Sequence, residues 1–157
     1  MTSPAYLPED CSIARTLHLI GERWTLLVLR EAFRGTRRFD DLRANTGAPR
    51  QVLSARLATL VSHGILRQVP YQVLGQRQRN EYRLTRKGMD LYPVLVALTQ
   101  WGDQYVADPA GPPVHLTHAD CGASVRATLT CEDGHRLESA KDVHPVLRQG
   151  PVPAGPP

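Results

Sequence analysis

Cysteine is scarce in this chain: three residues in 157, at positions 11, 121 and 131. They are too few and too scattered for a disulfide scaffold, and a reducing cytoplasm is the expected setting. Long apolar runs are also missing. Runs such as Leu26 to Leu29 behind Trp24 fall far short of the roughly 18 residues that a membrane span requires. Met1 to Asp10 has no basic stretch followed by an apolar one, so no secretion signal is expected. Catalytic constellations are lacking too. There is no Gly-rich phosphate loop, no paired-carboxylate cleft and no nucleophile beside a plausible base, so an enzyme is not expected. The one acidic pair, Asp40-Asp41, lies between arginines and reads as local charge balance.

The chain does have enough apolar residues, 41%, for a packed core, and a length suited to one domain with a short appendage. Its net charge of +4 is unevenly spread. Between Arg34 and Lys87 stand 12 Lys/Arg against three acids, a local charge of +9. From Asp108 to Pro157, four basic residues meet six acidic ones, or −2. A concentrated positive field favours a polyanion such as nucleic acid. On charge alone, a merely solvated basic face fits equally well.

Periodicity orders the rest. Ile13, Leu17 and Ile20 fit a short helix from Cys11 to Gly21, and Glu22 to Phe33 is apolar nearly all round, as in a buried central helix. Thr36 is placed to cap a third helix reaching Asn45, with Arg37 and Arg38 at its start. Thr46-Gly47-Ala48-Pro49 makes a turn, with Pro49 suited to the first position of a fourth helix. There Leu53, Leu57, Leu60 and Val61 form one apolar stripe. The period then drops to 2 over Ile65 to Val73 and again around Tyr82 and Leu84, predicting a hairpin with a basic tip at Gly75 to Arg79. Thr85 caps a last helix, Arg86 to about Val106, which Pro93 either kinks or restarts. Leu91, Leu95, Leu98 and Trp101 approach the spacing of a helix that packs on a partner helix. Four segments result: 1–107, a domain whose charge suits nucleic acid and whose last helix suits a partner helix, hence a candidate DNA-binding and dimerisation domain; 108–113, a linker; 114–148, a small Cys/His-containing segment with strand-like residues Val125 to Thr130; and 149–157, a disordered Pro/Gly-rich tail.

Helix, turn, helix, then basic hairpin is the order of a winged helix-turn-helix. A helix with polar residues at an exposed start enters the major groove, and a basic wing lies on the backbone or minor groove. The segments Cys11-Ser12-Ile13-Ala14, Gly21-Glu22-Arg23-Trp24-Thr25, Arg38-Phe39-Asp40-Asp41-Leu42, Leu53-Ser54-Ala55-Arg56-Leu57, Gly64-Ile65-Leu66, Glu81 to Gly88 and Trp101-Gly102 follow in order. In this series the chain resembles the HxlR family of winged helix-turn-helix transcription regulators, relatives of the MarR group. The resemblance implies a mainly α fold with a β-hairpin wing. It also implies a homodimer formed by the first and last long helices, bound to a pseudo-palindromic operator in double-stranded DNA. One departure is the tip Leu74-Gly75-Gln76-Arg77-Gln78, where many members carry a proline.

The residues expected to meet DNA are Arg50, Gln51 and Ser54 at base edges, with Arg37, Arg38, Arg56, Arg77 and Arg79 at phosphates. Arg56 alternatively meets an internal acid. Arg83 and Lys87 read as plain solvated residues, and Glu22 and Arg23 as a local pair. Trp24, Phe33, Tyr92 and Trp101 are core or interface residues, or else line a pocket for a small-molecule effector. Cys11 opens a helix, where the dipole favours a thiolate. The resemblance implies a redox sensor at that position, and packing is the competing use. His118, Cys121, Cys131 and His135 have ligand types that zinc uses, in the spacing of a miniature ribbon, although Gly134 stands where a second Cys would strengthen the pattern. A small hairpin without metal is the alternative. The rival functions are a protein-interaction winged helix without DNA affinity and a small metal- or ligand-binding protein using the C-terminal segment.

Overall fold

The computed structural model describes residues 11–75 and 77–146. The expectations for Met1 to Asp10 and for the 149–157 tail lie outside the described residues. The chain divides into two compact units, with the boundary between Pro112 and Pro113.

In the first unit six helices and a hairpin follow one another: α1 (Ser12–Ile20), α2 (Arg23–Phe33), α3 (Phe39–Thr46), α4 (Arg50–Ser62), β1 (Leu66–Tyr71), β2 (Arg79–Leu84), α5 (Arg86–Met89) and α6 (Tyr92–Tyr105). The apolar stripe of α4 is buried as its spacing predicts. Leu53, Leu57 and Leu60 are inaccessible, and they pack with Val28 and Leu29 of α2, Leu42 of α3 and the Ile65-Leu66 step into β1. Burying each such side chain contributes about 1.5–3 kcal/mol. Helix α2 is less uniform than its sequence suggests. Arg30 faces solvent, while Glu31 is buried among the apolar residues.

Several boundaries differ from the sequence expectation. Thr36 does not cap α3; its hydroxyl donates to Glu31 instead, and Arg38 takes the cap position. Arg37 and Arg38 therefore precede the helix rather than start it. They run extended beside the hairpin: Arg38 forms an antiparallel bridge with Glu81, and the Tyr82 N–H donates to the Arg37 carbonyl at 2.8 Å. This covers the outer edge of β2 and leaves β1 at the sheet edge, where Pro70 is tolerated. Pro49 caps α4 rather than opening it. The strict alternation fails at Ile65 and Leu66, both buried, because this step passes through the core before the hairpin leaves it. The expected last helix is two. Thr85 does act as a cap, accepting from the Gly88 N–H at 3.1 Å, but α5 ends at Met89 and Pro93 sits in the first turn of α6, its true start. A methyl group on Gly88 would lie 2.2 Å from the Ile65 carbonyl oxygen, so glycine is required for α5 to seat there.

The second unit carries two short ladders. Thr117 bridges Ser124, and β3 (Leu129–Thr130) pairs with β4 (Arg136–Leu137), ahead of a 3-10 turn at Ala140–Asp142. Only the end of the expected Val125 to Thr130 strand forms. No helix among the described residues is long and apolar enough to cross a membrane.

Candidate nucleic-acid interface

The α3–α4 corner is built from its turn outward. Gly47 adopts φ +70°, which a side chain strongly disfavours, and donates its N–H to the Arg43 carbonyl. The Thr46 hydroxyl closes the same turn by donating to the Leu42 carbonyl at 2.6 Å and accepting from the Ala48 N–H. Ala48 is buried, so the corner is anchored and the first turns of α4 project from it. Arg50, Gln51 and Ser54 all stand exposed there, while Leu53 one face away fills the core.

A cleft of about 410 Å³ runs between this helix start and the hairpin, lined by Phe39, Arg50, Ser54, Tyr71, Arg79 and Tyr82. Two guanidinium groups lie on aromatic faces: Arg50 over Phe39 at 5.2 Å and Arg38 over Tyr71 at 4.8 Å. Such stacking fixes the planar fork while leaving its N–H groups available. The aromatic supports Phe39 and Tyr71 were not singled out as site residues in the sequence; their signal was proximity to arginine across a fold, which spacing does not reveal. Arg79 has a partner within the fold. It pairs with Asp40 at 3.2 Å, both side chains exposed, which ties the wing to α3. Asp40 thus balances a distant arginine rather than its neighbours.

Other cations differ from the expectation. Arg83 pairs with Glu81, and Lys87 donates to the His63 carbonyl at 2.9 Å, closing the end of α4; neither is merely solvated. Arg23 stacks over Trp24 at 4.8 Å. Arg56 is half-buried, and its Nε is the buried side-chain atom that lacks a hydrogen-bond partner among the described residues. Arg77 is exposed at the tip, where Gly75 turns at φ +77°.

Behind the corner lies a polar clamp that the sequence did not reveal. Glu31, 2% exposed, accepts from Asn45 at 2.9 Å, Arg30 at 3.0 Å, and Arg34 and Thr36 at 3.4 Å. It thereby joins α2 to α3. Burial alone would raise its pKa, but the Asn45 and Arg30 hydrogen bonds and the charges of Arg30 and Arg34 outweigh that and hold it below the ordinary value.

Of the expected interface stripe, Leu95 is buried and Leu91 is half-buried against the chain's own core; Leu98 and Trp101 are exposed at 51% and 58%. Val94 and Tyr105 on α6, and Ile13 and Leu17 on α1, are also exposed. Phe33 and Tyr92 rings meet at 4.9 Å, and Trp24 packs on the core. Cys11 caps α1 and is half-buried. In the second unit His118 lies beside Cys121, and Cys131 beside His135 and Asp133; all four expected ligands are not drawn into one cluster.

Residues 19–109 match the HxlR-like helix-turn-helix family. The chain belongs to that family. Its members are helix-turn-helix transcriptional regulators rather than enzymes. A helix-turn-helix-type transcriptional regulator of Mycobacterium tuberculosis is 48% identical over 137 residues, which cover 87% of this chain and 85% of that protein. The crystal structure of PA1607 is similar at 40% identity and a TM-score of 0.78, over 89% of this chain and 96% of that one. The redox regulator HypR in its reduced form is 25% identical with a TM-score of 0.54, over 60% of this chain and 92% of that one; an oxidised form has also been solved. The winged helix-turn-helix expected for an HxlR-family chain is thus the fold observed.

Proposed function

We propose that this HxlR-family regulator binds a pseudo-palindromic operator in duplex DNA as a homodimer. The observation that carries the reading is the exposed Arg50, Gln51 and Ser54 on the first turns of α4, in the middle of the +9 segment and beside a basic wing. Arginine and glutamine at those places offer bidentate contacts to guanine and adenine, while Arg37, Arg38 and Arg77 supply phosphate contacts. The exposed apolar rows of α1 and α6 supply the dimer contact. Two α4 helices related by a two-fold axis would read half-sites about one helical turn, or roughly 34–36 Å, apart. Selection of bound duplexes from a random pool tests this directly. A two-fold symmetric consensus is expected, and the absence of any enriched sequence contradicts it.

Regulation acts through the spacing of the two α4 helices, altered by a small effector or by oxidation at Cys11. Likeness to a protein solved as a redox regulator in both states supports the second route. Oxidation would turn a small apolar group at the start of α1 into a polar or cross-linked one. Mild oxidant should then change operator affinity, and Cys11→Ser should abolish the change; an equal response in that variant removes Cys11 from the mechanism.

A further inference from the structure

The second unit, Pro113–Pro157, shows little core in its described residues, 113–146. Among its described residues no side chain is fully buried, and its regular structure is a two-residue ladder, one bridge and one 3-10 turn. Units below about 70 residues ordinarily add disulfides, a metal or a partner to a core of their own. Cys121 and Cys131 are not joined in a disulfide.

Both of its cysteines and two of its histidines, His118 and His135, stand on two turns of similar build. In the first, the His118 N–H donates to Ala123, the Gly122 N–H donates back to His118, and Gly122 takes φ +69°. In the second, one residue shorter, the Cys131 N–H donates to His135, the Gly134 N–H donates back to Cys131, and Gly134 takes φ +82°. Each turn holds a sulfur and an imidazole Nδ1 close together, 3.4 Å for Cys121–His118 and 3.5 Å for Cys131–His135. Two ligands on one tetrahedral zinc, one sulfur and one nitrogen, lie about 3.5 Å apart. A thiol–imidazole hydrogen bond has a similar length, so the spacing alone does not decide. The second turn adds what the first lacks. Asp133 brings a carboxylate oxygen within 4.8 Å of both the Cys131 sulfur and the His135 nitrogen.

We propose that the β3–β4 turn binds one divalent ion of the zinc class through Cys131, Asp133 and His135, with solvent in the remaining position. Thiolate, carboxylate and imidazole together match the preference of zinc over calcium or magnesium. The ion clasps the two ends of the turn across which β3 and β4 pair, and metal binding takes the place of a hydrophobic core. Cys131 releases its thiol proton to solvent on ligation. This departs from the four-ligand set expected from spacing: Asp133 replaces His118 and Cys121.

The test is titration of the full-length, chelator-stripped protein with zinc chloride against a chromophoric chelator, and with cobalt(II) chloride, read by the thiolate-to-cobalt charge-transfer band. One ion per chain and a thiolate band are expected. Cys131→Ser and His135→Ala should lose uptake, and Asp133→Asn should weaken it by about tenfold or more, no less than loss of a supporting residue does. The His118→Ala, Cys121→Ser double variant should retain both stoichiometry and band. Amide exchange in 113–146 should slow when zinc is added to the unaltered protein, a readout that needs no variant to fold. Absence of stoichiometric uptake, a cobalt complex without the thiolate band, or uptake lost in the double variant but kept in Asp133→Asn would overturn the proposal.

Discussion

Glu31 shows how one side chain can hold the α3–α4 corner in place. Its four donors come from α2, the following loop and α3, so removing it takes the shared carboxylate acceptor from Asn45 and Thr36. Glu31→Gln should lower stability by about 1–3 kcal/mol at neutral pH. The folded carboxyl titrates below its ordinary value, so its charge stabilises the fold above the ordinary carboxylate range. That contribution disappears as pH falls through the folded value. Urea unfolding from neutral pH down to about pH 3 should therefore show the gap between the two proteins closing in acid; a constant gap would mean that the charge contributes nothing. Glu31 was invisible in the sequence because its spacing is that of the apolar face of α2, while Asn45, the partner that rescues its burial, is 14 residues away. Arg50 was legible as an exposed helix-start residue, but its support on Phe39 was not. Arg50→Ala should relax base preference at one position per half-site, at a cost of about 1–3 kcal/mol there. Arg77→Ala should instead weaken all duplexes alike and lower the salt slope by about 1. Binding-site selection with each variant separates the two outcomes.

Among the elements, α6 was legible as an apolar helix, but the division of its stripe was not. A single chain's periodicity does not say which apolar residues its own core consumes. Leu95 faces inward, so Leu95→Asp should unfold the protomer, and Leu95→Ala should cost about 2–5 kcal/mol. Leu98 and Trp101 are the exposed pair. If the chain dimerises as proposed, Leu98→Asp with Trp101→Glu should leave helix content and unfolding midpoint nearly intact while converting the dimer to a monomer. Light scattering reads the mass, and a folded variant that stays dimeric would place the interface elsewhere. The helix-turn-helix itself was readable because its signals are local: the Gly47 turn, the α4 stripe and the switch of period after Gly64. The short strand at Arg37-Arg38 was not, because its pairing with β2 joins residues more than 40 positions apart, and no alternation of two residues announces it.

On the scale of the whole molecule, the charge division and the fold coincide. The +9 segment spans α3, α4 and the wing, the elements that a winged helix-turn-helix turns toward DNA, and the 108–157 segment carries the opposite sign. The Pro/Gly stretch after Asp108 coincides with the boundary between Pro112 and Pro113 that divides the two units. The internal turns of the second unit were not legible, because two glycines at positive φ and a handful of backbone hydrogen bonds leave no periodic trace. If the basic elements bind DNA as proposed, the affinity rests on phosphate neutralisation and must fall with salt. The most direct measurement is the affinity of the purified protein for its selected duplex and for a scrambled duplex across a series of salt concentrations. Log affinity should fall linearly with log salt for both, with a slope of several units, and the selected duplex should bind about a thousandfold or more tighter throughout. Affinity that is undetectable, insensitive to salt, or equal for the two duplexes would contradict sequence-specific binding through α4 and the wing.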